Sequence, residues 1–237
     1  MGEHMDLILL AGTAAGLLQG VGYFSYHQLH KRNHTDPNPY TWFMFAYGVF
    51  VLTVLEYDRL LATFSDAHGL LAYSLLALPV VCSLGAIWIF FDLWLENRKT
   101  AKRNVFWPDH WGDQLSLVTD IAVTVLYVGC WILLLQDTIT PSIRDWLTAV
   151  YLFLVNITTI PGFIPMYRAI WSGEEREYKG PWLIWTAAYI ALGYATWLST
   201  GEFWHELMFY PAINAVLHAL VAVLVVMRPS KRIVVAE

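Results

Sequence analysis

Asp113, Ser116, Asp120, Thr124, Tyr127 and Trp131 recur at steps of three or four, the spacing that brings side chains onto one face of a helix. The residues between them are almost all apolar, so the run 115–135 carries a single polar stripe. Asp120 falls about 9 Å inside that run at about 1.5 Å per residue. No Lys or Arg stands at comparable depth in any apolar run. The charge must therefore be met by hydroxyls, water, a bound cation or its own protonation. Two chemistries fit: coupling to a cation or proton, or a stripe of interhelical hydrogen bonds.

A second group lies in two other apolar runs. Asn156 sits in the run 146–168, and Asn214 and His218 share a face of the run 207–227, four residues apart. If both runs start on the same side, Asn156 and His218 lie level, and Thr124 reaches that level from the opposite direction. Amides, a hydroxyl and an imidazole at one depth offer donors and acceptors to a polar solute, or act as glue between helices. Trp185 and Tyr189 stand within the run 182–200, where they can stack on such a solute.

His27, His30 and His34 form a third group, one-sided if the helix continues through them. Three imidazoles are metal ligands in principle, but no matching carboxylate box accompanies them, so no metal is assigned. Asp92 and Glu96 precede a basic stretch and are expected to pair with Arg98 or Lys99. Cys82 and Cys130 lie in separate apolar runs, as small buried hydrophobes rather than a disulfide. No cofactor motif is present.

The elements that must position these residues follow from composition. Of 237 residues 57% are hydrophobic and only 14% charged, with a mean hydropathy of +0.49. That profile is an integral membrane protein, whose partner is the lipid bilayer and not nucleic acid. Seven apolar runs of membrane-spanning length occur, at 7–27, 40–57, 70–92, 115–135, 146–168, 182–200 and 207–227. Twelve of the fourteen Lys and Arg residues fall in alternate loops and the C-terminal tail; only Arg59 and Arg144 lie on the other side. The positive-inside rule then puts the N-terminus outside and the C-terminus in the cytoplasm, in a plasma or cell inner membrane. No Lys lies in any run, which excludes a retinal Schiff base. Arg repeats of a voltage sensor and a TVGYG filter are also missing.

Gly12, Gly16 and Gly20 give the first run a small-residue seam. Pro161 and Pro165 predict a kink in the fifth. A pattern of apolar run, basic turn, then proline followed by aromatics and Trp occurs over 16–57 and again, more strongly, over 156–197, as in an internal repeat.

Ile164-Pro165-Met166-Tyr167-Arg168, Ser172-Gly173-Glu174, Pro181-Trp182-x-x-Trp185 with Tyr189, and Tyr210-Pro211-x-x-Asn214 together resemble the PQ-loop superfamily. That group holds the SWEET and SemiSWEET sugar transporters, the PnuC vitamin-precursor transporters, cystinosin and the KDEL receptor. The likeness is clearest over 156–228, and Met166 stands where the family has glutamine. It implies two three-helix bundles of like orientation joined by a linker helix. In this chain these are 1–112 (first bundle and a basic cytoplasmic loop), 113–140 (linker with the polar stripe) and 141–237 (second bundle and basic tail).

The expectation is thus an all-α, seven-span 3+1+3 membrane protein that transports or facilitates a small polar solute. Asn156, Asn214, His218, Thr124, Trp185 and Tyr189 would bind the solute, and Asp120 would couple its passage to a cation or proton. Two alternatives stay open: a membrane enzyme with a His and carboxylate site, with or without metal, on the cytoplasmic side, and a receptor-like ligand binder. Homo-oligomerisation is also open.

Overall fold

The computed structural model describes residues 2–32, 35, 37, 39–64, 69–100, 111–174 and 176–227. Among them the chain forms no strand and has seven α-helices: α1 (Gly2–Lys31), α2 (Pro39–Thr63), α3 (Gly69–Thr100), α4 (Trp111–Leu135), α5 (Pro141–Ser172), α6 (Lys179–Thr200) and α7 (Phe209–Met227). A 3-10 turn, Glu206–Met208, leads into α7. Six of the helical segments are long and apolar enough to cross a membrane. The exception is α6, whose 22 residues carry three Trp and two Tyr, side chains that favour the interface over the hydrocarbon.

Burial runs in the sense a bilayer demands. Leu10, Leu17, Leu84, Val125, Ile190 and Val216 lie exposed on the outside, whereas Gln19, Asp120, Asn156, Asn214 and His218 are buried. Polar groups face protein and apolar groups face lipid.

Several helices run beyond their apolar cores. At the ends of α1 and α3 the extra turns hold charge: Lys31 Nζ bonds Asp92 Oδ1 at 2.9 Å and also reaches Glu96, and His30 Nε2 is 2.9 Å from Glu96. Asp92 and Glu96 therefore pair across to α1, where their own helix had been expected to supply the partner. Arg98 instead lies 4.9 Å over the Trp94 ring. At the opposite end, Glu56 and Asp58 are buried. Thr148 donates to Asp58 at 3.2 Å, and Arg59 pairs with Glu206.

The packing order has a regular form. α3 packs on both α1 and α2, and α7 packs on both α5 and α6; α1 also lies against α6, α2 against α5, and α4 against α5 and α2. The glycine seam explains the α1–α3 contact. A Cβ at Gly12 would stand 2.7 Å from the Ser74 main-chain oxygen, and one at Gly16 2.9 Å from the Ala77 Cβ. Helix α5 is continuous through Pro161 and Pro165. It begins at the Thr140 cap with Pro141 in its first turn and ends at Gly173, whose φ of 81° needs no side chain to be accommodated.

Candidate functional site

A cavity of about 60 Å³ lies at the centre of the helices, and all seven contribute to its wall. A single water needs roughly 10–15 Å³ of such space. The cavity can thus hold several waters or a small solute.

One wall is aromatic. His218 on α7 sits among four rings, with centroids at 4.8 Å for Tyr189, 5.3 Å for Trp182, 5.4 Å for Phe163 and 5.8 Å for Trp185. Its Nδ1 is 2.8 Å from the Asn214 main-chain oxygen. Because a carbonyl only accepts, that nitrogen carries the proton, and in the neutral ring Nε2 keeps its lone pair. Asn214 is likewise partly used: one N–H of its Nδ2 donates to the Tyr210 carbonyl at 2.9 Å, leaving the second N–H and Oδ1. Trp185 donates from Nε1 to the Gln19 carbonyl at 3.3 Å, which fixes the indole against α1. Gly22 makes room for it, since a Cβ there would meet the indole at 2.2 Å.

Deeper in the same wall a thiol is ringed by phenols. Cys82 Sγ lies 3.2 Å from the Tyr23 hydroxyl and 3.4 Å from that of Tyr189, and Tyr189 is 3.4 Å from the Tyr210 hydroxyl. Gln19, wholly buried, presents its amide beside this cluster. Neither amide atom hydrogen bonds a described residue.

The other wall is formed by α4, α2 and α5. Asp120, 4% exposed, borders the cavity close to Gly48, where a Cβ would come within 2.7 Å of Oδ2. Among the described residues none donates a hydrogen bond or an ion pair to this carboxylate. Beside it, Ser116 donates to the Thr158 carbonyl of α5 at 2.5 Å, in the turn before Pro161.

At the end nearer the α5–α6 loop, Glu177 closes the aromatic wall. It accepts from the Tyr26 hydroxyl at 2.7 Å and from Trp182 Nε1 at 2.9 Å. A buried carboxylate outside the helices thereby ties α1 to α6.

Five of the sequence-predicted residues meet in this cavity: Asp120, Trp185, Tyr189, Asn214 and His218. Two do not border it. Thr124 donates to the Asp120 carbonyl at 2.7 Å and shares a 2.9 Å bond with Tyr47. Asn156, fully buried, donates to the Leu152 carbonyl at 2.8 Å, and its Oδ1 has no partner among the described residues. Compared with family models, curated proteins and solved structures, the chain matches none.

Sequence reasoning missed Tyr23, Trp42, Cys82, Trp182 and Tyr210. Trp42 and Trp182 stand near the ends of their apolar runs and read as interfacial belt residues, yet both are buried. The signal was present in the paired patterns Pro39-x-x-Trp42 and Pro181-Trp182-x-x-Trp185.

Away from the cavity, His30, Asp92 and Glu96 bring ligand atoms within 4.8 Å of one another, and His27 Nδ1 lies 3.4 Å from Asp92. Lys31 already supplies this cluster with a positive charge. His27 also stacks on Trp88, with centroids 4.5 Å apart. His34 lies outside the described residues.

Proposed function

We propose that this chain is a multi-pass membrane transporter or facilitator of a small polar solute. The central cavity is the solute site, and Asp120 is the group that ties passage to a cation or proton. The observation that carries this reading is a buried carboxylate with no partner among the described residues, on the wall of a cavity bounded by every helix. A group so costly to bury is retained for an ion or ligand rather than for packing.

The packing order supports a 3+1+3 arrangement of the PQ-loop kind. α3 between α1 and α2 matches α7 between α5 and α6, and the cross-contacts α1–α6 and α2–α5 exchange under the same two-fold relation. In this reading α6, about 33 Å long at about 1.5 Å per residue, also spans the membrane. The distribution of Lys and Arg supports an N-terminus outside. Rocking of one bundle against the other would expose the cavity to each side in turn.

Uptake of labelled solutes into sealed proteoliposomes, with and without a pH gradient, tests the proposal. Saturable, protein-dependent flux is expected. Binding without flux would leave a receptor-like module in its place. The His30, Asp92 and Glu96 cluster favours a second reading, a cytoplasm-facing metal enzyme; stoichiometric metal in the purified protein would select it.

A further inference from the structure

Resting on the reading of the cavity as a solute site, we infer that the solute is an organic cation bearing N–H donors, such as an alkylammonium or a guanidinium. The polar groups nearest the aromatic cage are partly committed to their own helix. The Nδ1 of His218 is spent on the Asn214 carbonyl, and one N–H of Asn214 Nδ2 on the Tyr210 carbonyl. What they leave at the wall includes two acceptors, Asn214 Oδ1 and, in the neutral ring, His218 Nε2. Asp120 adds a carboxylate with no donor or cation from any described residue. Among the described residues no Lys or Arg lines the cavity.

Such a wall is matched by a solute that supplies donors and positive charge. A carboxylate or phosphate would face Asp120 with no cation to offset it, and a neutral polyol would leave the buried charge uncompensated. The remaining surface fits the same solute. Trp182, Trp185 and Tyr189 line the cavity around His218, and a cation gains from aromatic rings while its carbon skeleton gains from their apolar area. The cavity volume of about 60 Å³ limits the solute to a few heavy atoms beyond its charged group.

The decisive comparison uses pairs of equal shape and different charge. Purified protein in nanodiscs is titrated calorimetrically with methylguanidinium against methylurea, and with ethylammonium against ethanol. The cation of each pair is expected to bind at least tenfold more tightly, and Asp120→Asn is expected to abolish that preference. Equal binding within both pairs, no saturable response to either cation, or a response to sodium alone overturns the inference. Should Asp120→Asn fail to fold, the wild-type pairs decide it unaided. Uptake of methylguanidinium, which stays charged, into proteoliposomes separates the two layers of argument. Binding without uptake sinks transport and leaves the solute class standing. Uptake of methylurea that matches methylguanidinium and is indifferent to Asp120→Asn leaves transport standing and sinks the solute class.

Discussion

The ring nitrogen Nδ1 of His218 lies 2.8 Å from the main-chain oxygen of Asn214, one turn earlier on α7. The bond commits the imidazole to one tautomer, with the acceptor nitrogen left free in the aromatic cage. Nitrogen-15 spectra of His-labelled protein should show His218 neutral and protonated at Nδ1 at pH 7. A ring protonated at Nε2 would remove the acceptor-rich wall. His218→Ala should weaken methylguanidinium binding by about 1–3 kcal/mol, the usual scale for a lost buried polar partner, while the protein stays folded.

Gly48 sets the position of the Asp120 carboxylate. Gly48→Ala places a methyl group 2.7 Å from Oδ2, so the carboxylate must turn away. Cation affinity should drop by about tenfold or more, equivalent to about 1.4 kcal/mol, with little change in thermal stability. Gly129→Ala, with nothing within 4 Å of the new carbon, serves as control. If the two variants bind alike, Asp120 is not held by α2.

The seam between α1 and α3 gives a graded stability test. Gly12→Ala and Gly16→Ala meet the Ser74 carbonyl and the Ala77 side chain at 2.7 and 2.9 Å, whereas Gly20→Ala meets Val81 at 3.6 Å. The first two should lose about 1–3 kcal/mol by overpacking, and the third should be near neutral. Thermal unfolding in detergent measures all three, and a uniform response would mean the helices simply shift apart.

Asn33-His34-Thr35 is a glycosylation sequon on the Lys- and Arg-rich side. Expression in eukaryotic cells should leave it unmodified, and a mobility shift reversed by a glycosidase would invert the proposed orientation.

The apolar runs were legible because span length is a one-dimensional property of the sequence, and the helices in the structure contain them. Their ends were less so: the Lys31, Asp92 and Glu96 cluster prolongs α1 and α3 past the apolar cores through contacts between distant residues. Asp120 was legible through its stripe. Thr124 and Asn156 show where depth counting stops. It places a residue along a helix axis but not around it, and each of these two spends its donor on its own helix instead of facing the cavity. Trp42 and Trp182 failed for the same reason, because a belt Trp and a cavity Trp share one depth and differ only in the face they occupy.

The two bonds accepted by Glu177, from Tyr26 and Trp182, make one end of the α1–α6 seam a latch. Hydrogen bonds to a charged group are worth about 1.5 kcal/mol each at the lower end of their range. Parting both would hold the unlatched form to roughly one molecule in a hundred, unless a bound solute or new contacts favour it. Loss of the carboxylate should lift that bias and release the Trp182 indole at the cavity wall, so under the proposed transport the loop between α5 and α6 would set how long the protein waits in one state.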